Sequence, residues 1–454
     1  MTKQSTGHAL HELSAVELIE GYRRREFSPV EVARSVLGHI ERWERHLQAL
    51  YLPHPERALE QARASEQRWL DRRPLGPIDG VPLTLKENIS TEGEPTPLGT
   101  AAVELVPAPA DAPAAARVRE SGGVLLAKTT MPDYGMLSSG LSSFHALSRN
   151  PWNLGMTPGG SSAGAGAAAA AGYGPLHEGT DIGGSLRLPA GWCGIFTLKP
   201  SLGRIPIDPP YTGRAAGPMT RTVADSALFM QVLSRPDARV GVLLLEAGCG
   251  LAVLPQVKAA VEHAARLFER AGAHVQPIPP FMTQGMLDGM DHFWRMRSHV
   301  DMKALPADRR EKVLPYIRAW ADSAAGLSGE AVFKAASQFH ATRVAAVNAF
   351  RAFDYVISPV SPVPAFPAEL PSPTNDPLRP LEHIGFTVPY NMSEQPAASI
   401  NCGYTTDGLP IGLQIAGQRF DDLGVLQVAR AFELLRDPQR PWPQPPSEAL
   451  DHVD

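Results

Sequence analysis

The stretch from Gly159 to Pro189 constrains this chain more than any other: Gly-Gly-Ser-Ser-Ala-Gly, a run of alanines, then Gly-Thr-Asp-Ile-Gly-Gly-Ser-Leu-Arg-Leu-Pro. Glycine permits backbone conformations and close approaches that a side chain forbids. Ser161 and Ser185 therefore fall in Gly-rich turns on either side of a helix built almost wholly from small residues. The segment Ala163 to Gly172 is expected to be that helix, buried and close to a sheet because it has no side chains to hold it away. Together these features point to an active site with a serine nucleophile.

The rest of the chain alternates strands and helices. Two helices open it, each announced by a capping box, Ser14 with Glu17 and Ser28 with Glu31, the second with Pro29 at its first position. Behind the second cap, Val32, Val36 and Ile40 recur at helical spacing. From Gly80 the period becomes two: Val81, Leu83 and Leu85 point one way and Thr84 and Lys86 the other, which places Lys86 at a strand's end. A helix from about Ala114 to Ser121 and a strand from Val124 to Ala127 follow. Val240 to Leu245, the helix around Val257, Val261, Leu267 and Phe268, and Val275 to Ile278 form another βαβ pattern. Residues 281–345 turn helical, with Met282, Met286 and Met290 beside Phe293 and Trp294, a stripe that suits ordinary core. Strand-like runs return at Tyr355–Ser358, Ala398–Cys402 and Gly412–Ala416, and residues 436–454 read as a Pro-rich extended tail. The whole reads as α/β.

Composition narrows the function. A net charge of −5, with no basic tract, argues against nucleic acid as a partner. No apolar run approaches the roughly 18 residues of a membrane span, and the first residues lack the apolar core of a signal peptide. Cys193, Cys249 and Cys402 are odd in number and far apart, a pattern of buried thiols rather than of disulfides or metal ligands. A cytoplasmic protein acting on a small molecule, without metal or cofactor, is the expectation, and either a monomer or a homodimer would fit.

Gly160-Ser161-Ser162-Ala163-Gly164 matches the G-x-S-x-G nucleophile elbow, with Asp354 and His383 available as later triad members. That elbow needs a strand just before it, and residues 150–158 hold two prolines and no alternation. The turn Thr180-Asp181-Ile182-Gly183-Gly184-Ser185 is better built for attack, because consecutive glycines let backbone N–H groups converge before the serine. Lys86 can act as a base only when neutral. Moving a lysine pKa from about 10.4 to near 7 costs about 4 to 5 kcal/mol, which burial at an apolar strand end can supply.

These motifs line up with a family. Gly80-Val-Pro-Leu-Thr-Leu-Lys86-Glu-Asn-Ile, Arg149-Asn-Pro-Trp152, Gly159-Gly-Ser-Ser-Ala-Gly164, Gly179-Thr-Asp-Ile-Gly-Gly-Ser185-Leu-Arg-Leu-Pro189 and Cys193-Gly-Ile-Phe-Thr-Leu-Lys-Pro200 resemble the amidase signature family. The likeness runs on through Gly217 to Asp225 and Gly408 to Gln414, covering residues 10–435 in order. It implies one large α/β domain with a mixed, largely parallel, twisted central sheet covered by helices on both faces. It also implies Ser185 as nucleophile, Ser161 as a bridging serine in a cis peptide bond and Lys86 as base, with an oxyanion hole from the backbone of Ile182, Gly183, Gly184 and Ser185. Ser162 is expected to make a first-turn helix contact and to join the lysine network, Asp181 and Arg187 to hold the turn, and Thr180 to support the site.

Departures from the family's best-known branch, the glutaminase subunit of tRNA-dependent amidotransferases, favour a stand-alone hydrolase over that role. Residues 133–144 lack its Thr-Glu-Asn, the middle segment lacks its Arg-Arg-Ile-x-Leu-Gly, and Asn401 stands where a proline is usual. A catalytically silent interaction subunit is disfavoured because all three catalytic positions are filled. Met131, Tyr134, Gly135, Phe293, Trp294 and Trp320 are expected to line a pocket for a neutral, bulky amide or anilide, with esters and carbamates (urethanes) open to the same chemistry.

Overall fold

The computed structural model describes residues 9–207, 211–234, 244–245, 249–350 and 353–446. Eleven strands among these form one sheet: β1 (Leu50–Tyr51), β2 (Pro82–Lys86), β3 (Val124–Thr129), β4 (Leu176–Asp181), β5 (Phe196–Lys199), β6 (Ala215–Thr220), β7 (Leu244–Leu245), β8 (Pro277–Ile278), β9 (Tyr355–Pro359), β10 (Ala397–Tyr404) and β11 (Pro410–Gly417). Their spatial order is β1-β3-β2-β4-β6-β5-β10-β11-β9-β7-β8. The sheet is mixed, as expected, but the expectation of a largely parallel one needs correction. Parallel pairing is confined to β3–β2, β2–β4, β9–β7 and β7–β8, whereas β1–β3 and the whole run from β4 through β6, β5, β10 and β11 to β9 are antiparallel. Strands buried on both faces read as continuous apolar runs whichever way they point, so burial pattern alone does not reveal direction.

Alternation along β11 shows what lies on each face. Ile411, Leu413 and Ile415 belong to the main apolar core, which also takes residues from the Val223–Leu233, Pro255–Arg270 and Asp422–Leu435 helices. On the other side, Gly412 meets Gly191 and Gln414 bonds Arg187, both in the short Arg187–Cys193 helix. The expected α/β domain, helices on both faces, is therefore present. Both N-terminal capping boxes form, and the Pro29–Leu47 helix buries Val32, Val36 and Ile40.

The small-residue helix forms over Ala163–Ala171 with every residue buried, ended by Gly172 in the left-handed conformation. It lies across β2, β3, β4 and β6 and against the Arg187–Cys193 helix. A side chain at Gly164 would sit on the Ala49 carbonyl oxygen and 2.5 Å from the Thr130 nitrogen. The small residues are thus what lets this helix reach the sheet, and Ser161 and Ser162 enter the molecule at its start.

The Met-rich segment folds into helices Gln284–Lys303, Ala307–Arg310, Pro315–Asp322 and Gly329–Ala349. Met282, Met290, Trp294 and Trp320 are buried in a second apolar cluster that also contains Trp192, Val360 and Ile384, so the stripe is core. Of the proline-rich tail, the described residues after Leu435 form no helix or strand, yet they do not stand off as a free arm. Trp442 packs on the small-residue helix cluster, 6.0 Å from the Trp152 ring, with the Arg221 guanidinium 5.8 Å from its own ring centre. Among the described residues no helix is long and apolar enough to cross a membrane. The expected strand residues Val240 to Gly241 and their neighbours up to residue 243 lie outside the described residues; β7 holds the remainder.

Because backbone atoms rather than flexible side chains face Gly164, Gly164→Ala is expected to destabilise the fold by about 1 to 3 kcal/mol. Urea unfolding checks this; an unchanged midpoint would contradict the close approach.

Candidate active site

Lys86 ends β2 with its side chain fully buried. The period-two reading holds: Leu83 and Leu85 enter the main core, while Thr84 turns to His177 and Lys86 to the serines on the opposite face. The lysine Nζ lies 2.8 Å from Ser161 Oγ, 3.1 Å from Ser162 Oγ and 3.1 Å from Thr180 Oγ1. Ser161 and Ser162 come from the turn into the small-residue helix, where the Gly160–Ser161 peptide is cis. Thr180 comes from β4, the parallel neighbour of β2. Asn88 Nδ2 donates to Thr180 Oγ1 at 3.1 Å. Asn88 was not anticipated; it lies in the turn just after β2, two residues beyond Lys86. Burial pushes the Lys86 pKa well below 10.5, and the nearby Arg214 cation adds to the effect; Glu87 and Asp181 oppose it.

Ser185 stands between β4 and the Arg187–Cys193 helix, in a turn that is fastened on several sides. Its carbonyl accepts from the Ser162 N–H at 3.2 Å, tying the two serine-bearing turns together. Asp181 Oδ2 accepts from the Leu186 N–H at 3.1 Å and from Arg187 Nε at 3.0 Å. Its Oδ1 accepts from Arg187 Nη2 at 2.9 Å and Asn391 Nδ2 at 2.8 Å. Arg187 also donates to the Thr387 carbonyl at 2.8 Å, to Gln414 Oε1 at 2.7 Å and to Asn391 Oδ1. All five guanidinium N–H groups are thereby used. Burial opposes ionisation of Asp181, but the Arg187 cation prevails and holds its carboxyl below the usual carboxylate range. Asp181 and Arg187 thus bond each other and groups of the turn on either side of Ser185.

One oxyanion-hole expectation is corrected. The Gly184 N–H donates to Asp181 Oδ1 at 2.9 Å and so is withdrawn from the donor set. Gly184 has φ +119°, in the region that favours glycine, and a side chain there would meet Thr387 Oγ1 at 2.5 Å. The N–H groups of Ile182, Gly183 and Ser185 donate to no protein acceptor among the described residues. Thr387 steadies the same turn by donating its hydroxyl to the Gly183 carbonyl at 2.6 Å.

Ser185, Ile182 and Gly183 open into a solvent-connected cavity. Of the expected lining residues, Tyr134, Gly135, Trp294 and Trp320 are in its wall. Met131 and Phe293 are not: Met131 is buried beneath Gly135, and Phe293 stacks edge-on against Phe339 at 5.1 Å. Adjacent helical residues diverge by about 100°, so Trp294 facing the cavity turns Phe293 away. Unanticipated wall residues are Met136, Leu137, Ser138, Tyr211, Arg297, Leu381 and Ile384. No strand precedes Ser161, and His383 is buried against Trp192 rather than bonded to it, so the nucleophile-elbow alternative falls.

A family model described as Amidase matches residues 31–241 and 238–426. The chain is 34% identical to the A-type subunit of glutamyl-tRNA(Gln) amidotransferase from Myxococcus xanthus (strain DK1622), over 94% of this chain and 98% of that protein. It is 31% identical to an acylamidase of Rhodococcus erythropolis, over 97% and 98% respectively. Among solved structures, a bacterial aryl acylamidase of the amidase signature family superposes with a TM-score of 0.85 at 27% identity, covering 94% of this chain and 96% of that one.

Arg187→Met would leave the Asp181 carboxylate buried without its cation, and such losses cost about 3 to 5 kcal/mol. Chemical denaturation is expected to show a loss of that size; a loss below about 1 kcal/mol would mean the pair does not hold the turn.

Proposed function

The chain belongs to the amidase signature family of amide-hydrolysing enzymes, and on that premise we propose that Ser185, Ser161 and Lys86 carry its chemistry. The observation that bears most weight is the three-hydroxyl shell around a buried lysine. An ammonium has three N–H donors, one for each hydroxyl. A neutral amine has two and a lone pair, so one hydroxyl must turn and donate. Ser162 directs its proton to the Thr180 carbonyl at 3.2 Å, and Thr180 Oγ1 accepts from Asn88. Thr180 can still donate while it accepts from Asn88, but Ser161 is the nearer hydroxyl, 2.8 Å against 3.1 Å, and is taken as the group that gives its proton to the lone pair.

In the proposed sequence Ser161 passes its proton to Lys86 as it takes one from Ser185 Oγ, which attacks the amide carbonyl. The oxyanion is met by the N–H groups of Ile182, Gly183 and Ser185, each donor of this kind being worth about 2.7 to 4 kcal/mol of barrier. As the C–N bond breaks, the same relay returns the proton to the departing nitrogen and leaves an ester on Ser185. Water attacks that ester, giving its proton through Ser161 to Lys86, and collapse frees the acid and restores the Ser185 hydroxyl. Asp181 and Arg187 act as positioning residues, as do Ser162, Thr180 and Asn88.

For substrate we propose an amide whose acyl or amine part is bulky and apolar, an aryl amide being the best fit. Trp294, Trp320, Leu381 and Ile384 in the cavity wall support this, as do the names of the acylamidase relative and the aryl acylamidase neighbour. Esters and carbamates pass through the same tetrahedral intermediate. Arg297 in the wall makes a wholly neutral substrate a poorer fit than composition suggested. The relative named for a glutamyl-tRNA(Gln) amidotransferase supports a second reading, a glutaminase working within an assembly. Glutamine turnover exceeding that of anilides, with dependence on added partner proteins, would select it.

Ser185→Ala and Lys86→Met are each expected to lower kcat on 4-nitroanilides by about a thousandfold or more. Since the base works as the neutral amine, kcat/KM should rise with pH through the Lys86 midpoint, well below 10.5, and fall on the acid side. Full activity in Ser185→Ala, or an activity limb at the ordinary lysine pKa, would refute the assignment.

A further inference from the structure

The cavity over Ser185 is walled by aromatic, aliphatic and small polar residues, and among the described residues lining it Arg297 bears the one full charge. Arg297 lies on the Gln284–Lys303 helix, one turn beyond Trp294 on the same wall. Its guanidinium carbon is 4.8 Å from the ring centre of Tyr211, another wall residue. Stacking of this kind orients the planar fork and leaves its edge available.

Among the described residues little neutralises this cation. The one carboxylate paired with it there is Asp301, 3.9 Å away on the same helix with a side chain 68% exposed, too long for a hydrogen bond and weak in water. The Arg297 Nε is buried and has no hydrogen-bond partner among the described residues. Nearby Asp291 does not serve it. That carboxylate is taken by Arg295 and by the Trp320 Nε1–H at 2.8 Å. A stacked guanidinium in a ligand cavity, with no carboxylate within hydrogen-bond distance among the described residues, is suited to an acceptor that arrives with the ligand.

Resting on the amidase reading above, we propose that Arg297 selects substrates carrying a carboxylate at a distance from the scissile amide. The apolar body of the substrate spans Trp294 and Trp320 while its carboxylate pairs with the guanidinium edge beside Tyr211. The carboxylate comes on the acyl side or the amine side of the amide, and both are covered by the test. Arg297 is a specificity residue here and takes no part in bond making.

Binding is measured calorimetrically in the Ser185→Ala enzyme, so that turnover plays no part. Two matched pairs are used: glutaryl-4-nitroanilide against hexanoyl-4-nitroanilide, and N-butanoyl-4-aminobenzoate against N-butanoyl-4-toluidine. At least one anionic member is expected to bind about tenfold or more tightly than its neutral partner, the size of one charge-assisted hydrogen bond. That ratio should fall to about one in the Arg297→Met form and be partly kept in Arg297→Lys, the neutral ligands reporting that each variant is folded. No preference for either anion, no binding by any of the four, or a preference untouched by Arg297→Met overturns the proposal. Turnover of the neutral anilides by the unaltered enzyme is read separately; its absence counts against the amidase reading and not against the role of Arg297.

Discussion

Everything in this site depends on one buried amine. Lys86 is enclosed by Ser161, Ser162 and Thr180, which come from one turn and a neighbouring strand, and among the described residues no carboxylate bonds it. Hydroxyls solvate an amine in either protonation state, so the shell does not fix the charge as an aspartate would. Burial then tips the balance toward the neutral form. Parallel pairing of β2 with β4 sets the lysine beside Thr180, and the small-residue helix brings the two serines onto the same point.

Burial alone does not make a catalytic lysine. Lys128 and Lys199 are also buried, and burial pushes their pKa values down to about 8 and about 7. Lys128 bonds the Ile89 carbonyl and Thr91 Oγ1, and Lys199 bonds the Pro200 carbonyl at 2.8 Å. Among the described residues neither bonds a serine hydroxyl. Geometry separates the three, and the pKa follows as a requirement rather than a signature. The same separation holds for charge: the Asp181–Arg187 pair is fully bonded within the protein, whereas Arg297 lines the cavity with no carboxylate within hydrogen-bond distance among the described residues.

Much of this was legible in the residues. Gly-rich turns flanking a run of alanines have few uses besides close packing, and period-two alternation alone put Lys86 on the side of the strand opposite Leu83 and Leu85. The capping boxes named their helices because the bonds involved are local. Three things were hidden for physical reasons. The Gly184 N–H points at Asp181 rather than at a substrate, a matter of local backbone geometry that residue types do not reveal. Strand direction was hidden by burial on both faces. Most of the cavity wall was hidden because Tyr211, Arg297, Leu381 and Ile384 are far apart in the chain and meet only through packing. Asn88 is different: its spacing from Lys86 was available, and only its bond to Thr180 gave it meaning.

The central claim is that the Lys86 side chain is an uncharged amine under working conditions, held ready to draw a proton through Ser161. NMR titration of the enzyme labelled with 13C at lysine Cε measures this directly, the Lys86 resonance being assigned by its loss in Lys86→Met. A midpoint far below that of exposed lysines is the result the account predicts. A Lys86 signal that titrates with the exposed lysines, near their usual value of about 10.4, would contradict it.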